Sequence, residues 1–160
     1  MAAADLTREE VERYLHDHIP ISSAMGVRVV SCNERGVRLT APLAANINHR
    51  ATVFGGSASA VAILAAWTYL YFVLRSTDVF ARLVIQSNTI DYLAPITADF
   101  EGECAAMTAQ ELERFVKMLR RHGKARITVV AVLTCAGVKA ATFKGDYVAV
   151  RLEPVPGSGA

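Results

Sequence analysis

"VFGGSASAVAILAAWTYLYFVL", residues 53–74, decides the fold. Its 22 residues carry no formal charge and lie between Arg50 and Arg75. By length it could cross a bilayer, for which about 18 apolar residues suffice. A helix apolar on every side belongs either in lipid or in the middle of a protein. Its first part is built of small residues, Gly55, Gly56, Ser57, Ala58, Ser59 and Ala60. Small residues make poor lipid-facing surface and let backbones approach closely instead.

The flanks supply what such a helix would need if it were buried. Thr7 and Glu10 form a capping box, with Leu6 and Val11 at the positions of a hydrophobic staple, so a helix is predicted over about 7–18, ending near Pro20. "GVRVVSC" (26–32) and "GVRLTAP" (36–42) alternate apolar with polar residues about the turn Asn33–Gly36, the pattern of a hairpin with one face on a core. "ARLVIQSNTIDYL" (81–93) and "ADFEGECAAM" (98–107) read as strands joined by a turn holding Pro95. A second capping box, Thr108 with Glu111, starts a helix that ends at Gly123 and puts Leu112, Phe115, Val116 and Leu119 on one face. "KARITVVAVLTC" (124–135) and "VKAATFKGDYVAVRL" (138–152) form a last hairpin about Ala136–Gly137. A lone membrane anchor has no use for six amphipathic strands. The expected architecture is therefore α+β, an antiparallel sheet around a central helix at about 55–75.

The totals agree. A chain of 160 residues is one domain, here 1–152, with 153–160 as a flexible tail. Hydrophobic residues make up 52% and charged residues 20%, which stays within the soluble range. A net charge of +2 gives no electrostatic case for nucleic acid. Cys32, Cys104 and Cys135 are odd in number and far apart, with no metal-ligand spacing, which fits a reducing cytoplasm.

"NINHRATVFGGS" (46–57), the apolar helix behind it and "IDYLAPITADFEGE" (90–103) resemble the hotdog-fold thioesterases, and within them the YiiD C-terminal family, over about residues 20–152. The resemblance implies a curled antiparallel sheet around one long helix. It also implies a homodimer, or a tetramer, whose sites form between protomers. The implied reaction is hydrolysis of an acyl thioester carried by coenzyme A or acyl carrier protein, with no cofactor beyond that carrier. The wider group often shows Asn-x-x-Gly-x-x-His-Gly-Gly and an acid seven positions later. Here Asn48, Gly55 and Gly56 match, whereas Ala51, Phe54 and Ile63 replace the first glycine, the histidine and the acid.

Hydrolysis needs a polarised carbonyl and an activated water. Unpaired N–H groups at the start of the long helix, near Gly55, Gly56 and Ser57, suit an oxyanion; the same glycines also suit tight packing alone. Asn48 offers both donor and acceptor for positioning the reacting groups, or serves as an ordinary turn residue. His49 is a candidate base, because histidine ordinarily titrates near neutrality, or an exposed loop residue. Asp91 is the nearest substitute carboxylate, on the strand that in hotdog dimers borders the partner's site, or a plain strand-end acid. Ser57 and Asn88 are polar candidates of the same kind. Phe54, Asn88 and Tyr92 complete the expected site as substrate contacts, and no metal is expected.

Rival readings are an acyl-binding hotdog without hydrolytic power, consistent with Ile63, and a hotdog dehydratase or hydratase, whose catalytic His motif is missing. A single span over 53–74 is the third. Gly55–Ser59 nearly spells a nucleophile elbow but lacks its last glycine and the alternating strands and helices of that fold. The basic run Lys117, Arg120, Arg121, His122, Lys124 and Arg126 reads first as a solvated helix face.

Overall fold

The computed structural model describes residues 6–153, so all of the expected tail beyond Glu153 lies outside the described residues. Helix α1 (Arg8–His18) starts as its cap dictates: the Thr7 hydroxyl accepts from the Glu10 N–H, and the Glu10 carboxylate accepts from the Thr7 N–H at 2.7 Å. The chain does not go straight into the first strand. Pro20 opens a second short helix, α2 (Pro20–Ala24). Proline at a first helical position sacrifices no hydrogen bond, so a residue read as a stop acts as a start.

Strands β1 (Arg28–Asn33) and β2 (Gly36–Ala41) form the first hairpin. The apolar stretch is helix α3 (Gly55–Arg75), followed by β3 (Ala81–Tyr92) and β4 (Phe100–Ala105). Helix α4 (Ala109–His122) buries Phe115, Val116 and Leu119, and Gly123 ends it at φ +70°. Strands β5 (Lys124–Cys135) and β6 (Val138–Arg151) make the last hairpin. The sheet has six strands in the order β1-β2-β4-β5-β6-β3, every neighbouring pair antiparallel.

Helix α3 lies inside the protein. Val37 and Leu39 of β2, Phe100 and Cys104 of β4, Leu133 of β5 and Phe143 and Tyr147 of β6 are all buried with it in one core. Ala58, Ala62, Ala65 and Ala66 are buried on the helix, so backbone lies close to backbone. At Gly102 an added Cβ would stand 3.0 Å from Val61 Cγ1, so β4 has no room for a side chain there. Two tyrosines tie rod to sheath: Tyr147 donates to the Ile63 carbonyl at 2.7 Å, and the Tyr69 hydroxyl accepts from the Met107 N–H at 2.9 Å. The helix is long and apolar enough to cross a membrane, yet 61% of its apolar window is buried inside the protein. This is the α+β hotdog arrangement.

Candidate active site

The first turn of α3 is held from behind by the loop that leads into it. Phe54 N–H donates to the Asn46 carbonyl at 2.7 Å, and Val53 N–H to the Ile96 carbonyl at 2.8 Å. Asn46 is only 2% exposed, and its Nδ2 donates to the carbonyls of Met25 and Pro42, both at 2.8 Å. Its Oδ1 is buried without a partner. Asn46 thus fastens the start of α3 to the end of α2 and the end of β2. Sequence reasoning passed over it in favour of Asn48, and only burial tells the two asparagines apart.

Asn48 is committed to its own loop. Its Oδ1 accepts from the N–H groups of Arg50 (2.8 Å) and Thr52 (3.2 Å), while its Nδ2 donates to Thr52 Oγ1 at 2.9 Å. An amide so engaged has little left for a substrate, and the expected positioning role is not supported by its geometry. The loop it organises closes on the isolated bridge Ile47↔Val53. Ala51 there has φ +60°, the left-handed region that glycine enters without strain, which explains why glycine suits that place in the wider pattern. His49 is exposed on the same loop and makes no hydrogen bond among the described residues.

The tip itself is open. Phe54 is the N-cap and supplies no side-chain cap, and no acceptor among the described residues takes the N–H of Gly55, Gly56 or Ser57. Those three donors sit at the positive end of a 21-residue helix dipole. Gly56 is exposed, Gly55 and Ser57 half-buried. Two exposed rings flank them. Phe54 (58% exposed) lies where a Gly56 Cβ would be, and Tyr92 (53% exposed) donates to the Gly55 carbonyl at 2.7 Å. Burial raises the Tyr92 pKa above its ordinary value, so the hydroxyl keeps its proton near neutrality.

Strand β3 changes the face it turns to the helix part-way along its length. Leu83 and Ile85 pair with Ala149 and Tyr147 and point toward α3, but a bulge at Gln86 inserts one residue before Ser87↔Asp146. Beyond it Asn88, Ile90 and Tyr92 take the inward phase, opposite Gly145, Phe143 and Ala141. Asp91, opposite Thr142, points to the outer face with Ser87 and Thr89. The structure therefore gathers Phe54, Gly55, Gly56, Ser57 and Tyr92 at the tip and adds Asn88 on the same side of the sheet. It sets Asp91 on the opposite side. Ile63 is half-buried against the core and supplies no acid.

Two of the cysteines are poor nucleophiles. Burial pushes the Cys104 thiol up to about 12 and the Cys32 thiol up to about 11. A groove of about 860 Å³ is lined by Val73, Leu112, Val116, Lys117 and Arg120. It lies at the far end of α3, roughly 30 Å from the glycines by helix rise. There Arg120 pairs with Asp78 in an exposed salt bridge. Among the described residues no cluster of His, Cys, Asp or Glu has the makings of a metal site.

Residues 8–151 match the family model described as "Putative thioesterase (yiiD_Cterm)". The chain belongs to that family. The match takes in α1 as well as the hotdog core. Among solved structures, a protein of unknown function from Chlorobaculum tepidum is 29% identical, with 93% of this chain and 99% of that one covered and a TM-score of 0.87. A protein from Shewanella oneidensis described as a putative thioesterase is also 29% identical, with 89% and 96% covered and a TM-score of 0.75. A thioesterase from Haemophilus influenzae, 9% identical with 97% and 98% covered and a TM-score of 0.74, shares the fold. Family and relatives together support thioesterase as the activity class.

Proposed function

We propose that this chain is a cytoplasmic hydrolase of acyl thioesters borne by coenzyme A or acyl carrier protein, acting as a homodimer. The observation that carries the proposal is the open helix tip, with the N–H groups of Gly55, Gly56 and Ser57 free of acceptors among the described residues. A thioester carbonyl set against them gains charge-stabilising hydrogen bonds as water adds and its oxygen becomes an oxyanion; one such donor is worth about 100- to 1000-fold in rate. The tetrahedral adduct then collapses, expelling the thiolate and leaving the acid.

The dimer is supported by β3, which pairs with β6 along one edge and among the described residues has no neighbour on the other. A 12-residue strand with a bare edge is a template for a second copy. Asn88 is on that strand and faces the helix side, so it is assigned to hold the attacking water. His49, exposed and unbonded, is assigned as the proton acceptor, because Asp91 faces away.

The test is free-thiol release from a panel of acyl-CoA and acyl-carrier substrates by the wild type and three variants. His49→Ala should lower kcat about 100-fold, Asn88→Ala should lower it by a smaller factor, and Asp91→Ala should leave it unchanged. Loss of rate in Asp91→Ala with full rate in His49→Ala would overturn the assignment. A second reading, an acyl-binding module without hydrolysis, is favoured by Ile63 and by the outward turn of Asp91, which leave the tip without a carboxylate from either place. Tight binding with no thiol released by any substrate would select it.

A further inference from the structure

Tyr92 enters the site through a backbone carbonyl, and the peptide it grips is the one that matters. The Gly55 carbonyl and the Gly56 N–H belong to a single peptide unit, which is planar. Whatever fixes the oxygen therefore fixes the direction of the N–H. This unit lies between two glycines, so it has the least conformational restraint of any in the first turn. Phe54, as N-cap, makes no side-chain hydrogen bond that would restrain it from the other side.

We infer that Tyr92 is a positioning residue for the oxyanion donors: its hydroxyl, 2.7 Å from the Gly55 carbonyl oxygen, orients the Gly55–Gly56 peptide and strengthens the Gly56 N–H. The inference rests on the oxyanion reading of the helix tip. An ordinary N-cap of Ser, Thr or Asp accepts from the second or third helical N–H and so consumes the donors a ligand needs. Tyr92 holds the same turn by its carbonyl side and leaves every N–H free. Donation to a carbonyl that also serves the helical ladder polarises the amide, strengthening its N–H by about 10–30% per bond. The backbone that carries the ring is fixed by the sheet. Tyr92 ends β3 in register with Ala141 of β6, and its oxygen would lie 3.3 Å from a Cβ at Gly55, a contact only glycine leaves comfortable.

The test is Tyr92→Phe, which removes the hydroxyl and keeps the ring. In protein labelled with [15N]glycine, the Gly56 amide proton should move upfield. Its order parameter should fall from about 0.85, the value of rigid backbone, toward 0.6. On the best acyl thioester, kcat should drop roughly 3- to 10-fold, the rate equivalent of one neutral hydrogen bond, with KM held. Tyr69→Phe is the control for a merely structural effect, since it removes from the same helix α3 a hydroxyl that accepts from the N–H of Met107 in the loop before α4. It should lower the melting temperature and leave both Gly56 and kcat alone. A Gly56 signal and order parameter unmoved by Tyr92→Phe, or moved equally by Tyr69→Phe, overturns the inference. A wild type that releases no thiol while Gly56 still responds to Tyr92→Phe overturns the hydrolase reading and upholds the positioning role.

Discussion

Replacing Asn46 by alanine should destabilise the protein far more than the same change at Asn48, although the two stand in one short loop. At Asn46 the change strips the Met25 and Pro42 carbonyls of their 2.8 Å donors in a place with 2% exposure. Each stranded group costs about 1–3 kcal/mol. The variant also removes an Oδ1 that is already buried without a partner, which returns a similar amount once. The net is about 2 kcal/mol, which for a domain of this size lowers the melting temperature by roughly 4–8 °C. At Asn48 the three bonds lie in a half-exposed loop where water can replace them, so the loss should stay below about 1 kcal/mol. Thermal and urea melts of both variants measure the difference directly. If Asn46→Ala melts within a degree or two of wild type, or Asn48→Ala is the more damaging, then Asn46 is not what secures the start of α3.

Gly36 has φ +124°, and a Cβ there would stand 2.1 Å from the Cys104 backbone oxygen, so Gly36→Ala should cost more than about 3 kcal/mol in a urea melt. Gly137→Ala, at φ +75° with nothing within 4 Å, should cost only about 1 kcal/mol, and equal losses would refute the steric argument. Asp146 accepts from Thr128 Oγ1 at 2.6 Å and Ser87 Oγ at 3.1 Å, and these bonds, Thr128 first, hold its pKa below the ordinary 3.8. A lowered folded pKa means stability that is fully present above 3.8 and lost as the pH falls through the folded value. The urea midpoint of wild type should therefore exceed that of Asp146→Asn at neutral pH, and the gap should close on acidification below 3.8. A gap that persists to the acid limit would show that Asp146 does not titrate in this way.

Local chemistry made much of the molecule legible before any coordinates. Thr7 with Glu10 and Thr108 with Glu111 are reciprocal caps whose partners lie three residues apart, so α1 and α4 begin where the sequence places them. The hairpin about Ala136–Gly137 follows from the turn residues, both with positive φ in the structure. The short helix α2 was missed because proline ends one helix and starts another with equal ease.

The candidate site was legible only in part, and the face that Asp91 takes shows why. Counting alternate residues from buried Leu83 through Ile85 brings Asp91 to the helix side and Tyr92 to the outside. The bulge at Gln86 reverses that parity for everything beyond it, turning Asn88 and Tyr92 inward and Asp91 out. Nothing in "VIQSNTIDY" announces the extra residue, because the bulge arises from pairing with β6, a strand that begins 46 residues beyond the end of β3. By itself the sequence determined the elements, the caps and the existence of a wholly apolar rod with a glycine start, since each depends on residues within a turn or two of one another. Which face each strand offers that rod, which asparagine is buried, and which hydroxyl reaches the Gly55 carbonyl were decided by tertiary structure, since those contacts join residues that only packing brings together.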